Sequence, residues 1–250
     1  MSVKSWNSLA SDFENDVLEI ATHDLNGVLK EQVECIAKGR PIAADLGCGP
    51  GSLLPLIYDK FKKVYAVDYA AELINVAKQR YDFNNIEYLV HDLIGKKRLP
   101  FTADVTFSVN ALITKSDSDR RHMAKSLCRA TKRNGACVVV VPSMESVTHA
   151  YQAMVRCKVR DKMNHNRALA AVNRIYNKDV LSQVGGIVSI GGTPTKCYTR
   201  EEIAIFLTDA GFDVENILRI EYPWSEEFDN PPRWLKAPYP WDWLIIGRKK

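Results

Sequence analysis

No apolar run in this chain approaches the length of a membrane span. The most apolar stretch, Ala136 to Pro142 (ACVVVVP), is only long enough for a buried strand. The N-terminal MSVKSWNSLASDFEND has no apolar core of the kind a signal peptide needs, so a soluble, cytoplasmic protein is expected. The cysteines at 35, 48, 128, 137, 157 and 197 form no CxxC pair. Neither a metal site nor a thioredoxin-like centre is therefore expected, and the thiols read as reduced and mostly buried. Internal repeats, low-complexity tracts and disordered linkers are absent. Neither sign of charge dominates, with 34 Lys and Arg against 30 Asp and Glu. A net charge of +4 lacks the basic footprint of a dedicated nucleic-acid binder.

What is present is an ordinary globular composition, 46% hydrophobic over 250 residues, enough for one α/β domain with a modest insertion. Residues 5–38 carry helical periodicity through Leu9, Phe13, Val17, Ile20, Leu25, Leu29, Val33 and Ile36, until Gly39 and Pro41 end it. Short apolar strands then alternate with helices. Strands are predicted at 42–46, 64–67, 86–90, 104–109 and 136–141, with helices near 51–61, 70–80 and 117–131. That alternation predicts a mostly parallel sheet with helices on both faces. Residues 143–198 interrupt the rhythm with two basic helical segments and a glycine-punctuated hairpin over Gly185–Tyr198. The stretch reads as an insertion placed to act as a substrate lid. Thr199 to Glu202 forms a capping-box pattern that opens a helix ended by Gly211. Two strands, 214–222 and 243–247, close the pattern, and Arg248 to Lys250 read as a solvated tail. The expected division is a helical cap (1–40), a cofactor-binding half (42–142), the insertion (143–198) and a C-terminal helix with a strand pair (199–250).

The chemistry concentrates between strands one and three. Gly47, Cys48, Gly49, Pro50 and Gly51 follow an apolar strand and precede a helix, where glycine lets the backbone turn sharply and approach a ligand. Asp45 precedes the first glycine. A carboxylate there suits an ammonium and repels a pyrophosphate, which sets this turn apart from a dinucleotide fingerprint. Asp68 ends strand two, where an acid accepts hydrogen bonds from ribose hydroxyls. Asp92 follows strand three, in position for an adenine amino group. Cys48 has no basic partner in sequence and reads as a small filler.

Together these residues resemble the class I S-adenosylmethionine (SAM)-dependent methyltransferases. DLGCGPG (45–51), VYAVDYA (64–70), HDL (91–93) and DVTFSVNALI (104–113) are similar to the family's successive motifs. LCRATKRNGACVVVVP (127–142) resembles its turn into strand five, and AGF (210–212) its approach to strand six. The resemblance implies a Rossmann-like seven-stranded, mostly parallel sheet. It also implies SAM as cofactor, S-adenosylhomocysteine as product, and contacts from Asp45, Gly47, Cys48, Gly49, Gly51, Asp68, Tyr69, Asp92, Leu93 and Asn110. The N-terminal segment around Trp6 and Phe13 is similar to the helical cap of small-molecule methyltransferases, although many of those carry Tyr where Phe13 stands.

The acceptor has no signature. No Asn-Pro-Pro-Tyr motif follows strand four, which argues against the group acting on base or glutamine nitrogens. His149 and Tyr151, just after strand five, are catalytic candidates. They join Trp6, Phe13 and Trp224 as candidate substrate contacts, with His165 and Tyr176 also in the insertion. Arg156, Lys158, Arg160, Lys162, Arg167, Arg174 and Lys178 make the insertion basic, but no aromatic lies between Tyr151 and Tyr176 to stack a base. Tyr222, Trp224, Phe228, Trp234, Tyr239, Trp241 and Trp243 gather near the C-terminus, as a satellite core or as an aromatic wall for a flat or cationic acceptor. A small-molecule methyltransferase, monomeric or homodimeric, is the leading expectation. The alternatives are an enzyme acting on RNA or protein, a non-catalytic SAM-binding protein and, more distantly, an NAD enzyme.

Overall fold

The structure, a computed structural model, describes residues 20–250. Its helices are α1 (Ile20–His23), α2 (Val28–Ala37), α3 (Leu54–Ile57), α4 (Ala71–Arg80), α5 (Asp117–Ala130), α6 (Met144–Arg160), α7 (His165–Asp179) and α8 (Arg200–Ala210). The strands are β1 (Ile42–Leu46), β2 (Lys63–Asp68), β3 (Ile86–Val90), β4 (Ala103–Val109), β5 (Thr131–Pro142), β6 (Val180–Ser182), β7 (Ile187–Ile190), β8 (Thr193–Lys196), β9 (Phe212–Glu221) and β10 (Trp241–Lys249). A seven-stranded sheet runs in the order β3-β2-β1-β4-β5-β10-β9. β1 to β5 are parallel, and β10 is antiparallel to both β5 and β9. This is the expected Rossmann-like architecture. Among the described residues, no helix is long and apolar enough to cross a membrane.

The apolar runs in the central strands follow from burial on both faces. In β5, Val138 and Val140 face one core with Leu29, Val33, Leu54 and Phe107. Val139 and Val141 face the other, with Leu127, Ile203, Leu207 and Trp243. β10 alternates in the same way, with Leu244 and Ile246 on the first side and Trp243 and Ile245 on the second.

Several elements differ from the sequence expectation for local reasons. Within its described part, the 5–38 helix is broken between His23 and Val28. There Asp24 accepts the backbone N–H of Asn26 (3.3 Å) and of Leu29 (2.7 Å), and Gly27 sits at φ 67°. The helix near 51–61 shrinks to α3, because the chain must return at once to β2, where Lys62 and Lys63 both donate to the Pro41 carbonyl. Thr199 caps α8 by accepting from the Glu202 N–H (3.2 Å), but the Glu202 side chain pairs with Lys196 instead of reaching back. Arg248 and Lys249 belong to β10: Arg248 bonds Glu215, and the Lys249 ammonium donates to the Thr131 carbonyl.

After β5 the chain forms α6, α7 and a small antiparallel sheet in the order β6-β7-β8. Backbone contacts tie this sheet and the segment after it to the end of the main one, among them Tyr198 N–H to the Pro142 carbonyl (2.8 Å). Lys196 N–H donates to the Ile113 carbonyl (2.8 Å), and Met144 N–H donates to the Tyr198 carbonyl (2.9 Å). Tyr198, fully buried, donates its hydroxyl to the Leu112 carbonyl (2.8 Å). Lys196, 1% exposed, donates to the Gly185 carbonyl (2.9 Å) and pairs with Glu202 (2.6 Å).

Candidate cofactor and acceptor site

The turn after β1 is pinned to the end of β2. Gly47 N–H (2.8 Å) and Cys48 N–H (3.0 Å) both donate to the Val67 carbonyl. Gly47 adopts φ 85° and Gly49 φ 52°, conformations that favour glycine. At Gly47 a Cβ would also collide with that of Ala111. Asp68 ties the turn to the next helix: one oxygen accepts from Gly49 N–H and the other from Ala70 N–H, both at 2.9 Å. His91 N–H donates to the Asp68 carbonyl (2.8 Å), which brings the ends of β1, β2 and β3 to one point.

A cavity of about 660 Å³ opens at these strand ends, a size suited to small ligands. Asp45, Gly47, Cys48, Gly49, Asp68, Tyr69, Asp92, Leu93 and Asn110, the residues the sequence reading assigned to the cofactor, line it. Gly51 is not among the lining residues. It packs inward, where a Cβ would lie 2.9 Å from both Leu54 and Tyr81, so its glycine serves the turn.

Asp45 is 1% exposed, and among the described residues its Oδ1 has no hydrogen-bond partner. Burial, with the Asp68 charge beside it, pushes its carboxyl up to about 7. A buried carboxylate oxygen without a partner, on a residue beside a cavity, fits a ligand ammonium, the group SAM carries on its amino-acid end. Cys48 is buried and its thiol is pushed well up by desolvation, then by Asp45 and Asp68, which leaves it inert.

The rest of the lining, called the second chamber below, comes from elements outside the glycine turn and the ends of β1 to β4. Val147, Ala150, Tyr151 and Met154 contribute the helical i, i+3, i+4, i+7 face of α6. The β7–β8 hairpin supplies Ile190, Gly191 and Thr193 to Thr195, and the segment after β9 supplies Tyr222, Glu226, Glu227 and Phe228. Of the two catalytic candidates, the structure places only Tyr151 here, its hydroxyl donating to Asp179 (2.8 Å). Burial and that carboxylate push its pKa up, which disfavours a phenolate base. His149 does not line the cavity. Two residues apart on a helix put the side chains on opposite faces, and the His149 ring bonds the Pro238 carbonyl (3.0 Å) and packs beside Trp224 and Trp241. Trp224, 3% exposed, is also not among the lining residues. Its indole donates to the Lys236 carbonyl (3.1 Å), and it stacks behind Phe228. Trp6 and Phe13 lie outside the described residues. His165 is exposed at the start of α7, and Tyr176 stacks edge-on against Tyr151. The insertion's basic residues do not line the cavity; Arg156 and Arg160 lie over Trp234.

Sequence reasoning missed the acids of the second chamber. Asp242 is the second residue of β10 and is 4% exposed, with the Asn110 amide 3.5 Å away as its donor. Burial pushes it up to about 7, and the Glu227 charge adds to the shift. Glu227 accepts the Tyr222 hydroxyl (2.9 Å), and its carboxyl is raised by burial. Asp242 was detectable: a lone acid inside the apolar run WDWLII is costly to bury and so marks a site.

Residues 43–135 match the family model of the methyltransferase domain. Over that span, somewhat more than a third of its length, the chain carries a match to a methyltransferase domain. A ribosomal protein L11 methyltransferase from Thermoanaerobacter sp. (strain X514) is 30% identical over 107 residues, covering 38% of this chain and 34% of that protein. The chain thus spans about a third of the length of that curated relative. Among solved structures, the N-methyltransferase NodS from Bradyrhizobium japonicum WM9, in complex with S-adenosylhomocysteine, superposes with a TM-score of 0.61 at 11% identity, over 98% of this chain and 97% of its own. The complex between the Haloferax volcanii Trm112 methyltransferase activator and a methyltransferase gives 0.60 at 16% identity, over 98% and 97%. At such identities the methyltransferase domain shares these proteins' fold, and its acceptor must be argued from its own cavity.

Proposed function

We propose that this protein transfers the methyl group of SAM to a small-molecule acceptor. The observation that carries this reading is the single cavity that runs from Asp45, Gly49 and Asp68 into the chamber under α6 and the β7–β8 hairpin. SAM, when bound, supplies a methyl group already activated on a sulfonium. Asp45 would hold its ammonium, the glycine turn its amino-acid end, Asp68 its ribose hydroxyls, and Asp92 with Leu93 its adenine. The protein's remaining task is to exclude water and hold the acceptor in line, which for an activated donor accounts for much of the rate.

The chamber wall supports a small acceptor over a nucleic acid. No lysine or arginine is found among its described lining residues, whereas phosphate recognition depends on such groups. A protein acceptor is the second reading, favoured by the local similarity to a ribosomal protein L11 methyltransferase. The test is release of S-adenosylhomocysteine from SAM on addition of a cell extract split by ultrafiltration. Turnover with the small-molecule filtrate is expected. Turnover only with the retained protein or RNA would replace this reading with one of the macromolecular ones.

A further inference from the structure

The chain as a whole is basic, with 34 Lys and Arg against 30 Asp and Glu, yet its cavity lining is the reverse. Eight Asp or Glu residues line the cavity and, among the described residues, no Lys or Arg does. Four of these acids face the second chamber. Glu226 reaches His23 (3.7 Å), but Asp179, Glu227 and Asp242 have no cationic partner among the described residues. Their bonds are to neutral donors: the Tyr151 hydroxyl, the Tyr222 hydroxyl and, at 3.5 Å, the Asn110 amide.

A buried carboxylate without a counter-charge costs several kcal/mol unless something completes it. Asp242 is 4% exposed with one long hydrogen bond, so the cost is acute there. Next to it, the Asn110 Oδ1 is buried and has no partner among the described residues, so a second acceptor is left wanting a donor. Asn110 itself is held at φ 49° at the end of β4. Glu227 lines the same cavity as Asp242 and Tyr151 and its charge acts on both. Among the described residues, no three Asp, Glu, His or Cys side chains converge into a metal-binding group. The acids are spread along a wall that also carries aromatic faces, the surroundings an organic cation prefers.

Resting on the methyl-transfer reading above, we propose that the acceptor is a primary or secondary amine that docks as its ammonium among Glu227, Asp242 and Asp179, with its carbon skeleton against Tyr222, Phe228 and Met154. An ammonium supplies the N–H donors that the Asp242 carboxylate and the Asn110 carbonyl oxygen lack. It must shed one proton before its nitrogen can attack. The Asp242 carboxylate takes that proton, and the freed lone pair forms the new nitrogen–carbon bond. The pair of the broken carbon–sulfur bond stays on sulfur and cancels the sulfonium charge. Asp242 then returns its proton to solvent. Burial and Glu227 raise Asp242 to about 7, so it can take and release a proton near neutrality.

The test is calorimetry on the full chain saturated with S-adenosylhomocysteine. The probes are three matched series built on phenylethyl, indolylethyl and n-hexyl skeletons, each as amine, alcohol and carboxylate. In at least one series the amine is expected to bind roughly tenfold or more tightly than its alcohol, and the carboxylate not at all. Glu227→Gln should shrink that preference by about tenfold while S-adenosylhomocysteine affinity stays as in the native chain. Asp179→Asn serves as a second variant if Glu227→Gln does not fold. If no amine outbinds its alcohol in any series, or if both variants keep the full preference, the amine proposal is overturned and the methyl-transfer reading stands. If the native chain does not bind S-adenosylhomocysteine, both fall.

Discussion

Asp68 shows how one side chain does structural and ligand work together. It holds the glycine turn to the end of β2 through two backbone N–H groups, and its oxygens retain lone pairs toward the cavity. Asp68→Ala is therefore expected to lower S-adenosylhomocysteine affinity by roughly ten- to a hundredfold, as measured by calorimetry. Gly47→Ala should do comparable damage for a different reason, since the new Cβ meets Ala111 at a φ that disfavours any side chain. Asp45 and Asp242 give the site a pH signature. Each is raised to about 7 from an ordinary 3.8, chiefly by burial. Between those values the folded protein binds more protons than the unfolded chain, so stability falls as pH rises through that window. Without ligand, the melting temperature should be higher at about pH 6 than at about pH 8, and saturating S-adenosylhomocysteine should flatten the difference by giving Asp45 a cation. A pH-independent melting temperature would show that these carboxyls are not desolvated.

Among the elements, the β7–β8 hairpin has a charged anchor beside its backbone contacts. Lys196 is buried at its base, pairs with Glu202 on α8 and lies 4.7 Å over the Tyr198 ring. Glu202 is itself 42% exposed, so the ion pair contributes less than a fully buried one would. Lys196→Met is expected to cost about 1–3 kcal/mol and to speed hydrogen exchange over residues 187–196. S-adenosylhomocysteine affinity should be unchanged, since Lys196 does not line the cavity. The same hairpin and the α6 face line the cavity where the acceptor is proposed to bind. Exchange over 143–180 should slow when acceptor joins the cofactor product. Unaltered exchange there would remove the case for these elements closing over the substrate.

For the molecule as a whole, topology decides ligand choice. Parallel strands β1 to β4 end at one edge of the sheet, and their last residues and the loops that follow carry Asp45, Asp68, Asp92 and Asn110. The resulting field is negative, which suits SAM's ammonium and sulfonium and opposes a dinucleotide's pyrophosphate. Calorimetry is expected to find binding of SAM and S-adenosylhomocysteine and none of NAD. NAD binding without either of the other two would reverse the assignment.

The cofactor half was legible in the sequence because its signals are local. A glycine turn needs positive φ at fixed positions, and Asp68 follows an apolar strand that only a sheet can bury. The acceptor half was not, because it is assembled from segments far apart in the chain. His149 and Tyr151 looked equivalent until α6 set them on opposite faces. Trp224 looked like a wall until it packed behind Phe228. Asp242 reaches the site because β10 runs antiparallel to β5 and pairs it with Pro142. The first residues of β10 therefore lie at the same edge as the last residues of the parallel strands. Motif and periodicity marked the methyltransferase-like domain and its glycine turn. The reversal of one strand, together with the packing of the inserted helices and hairpin, decided which carboxylates line the rest of the cavity.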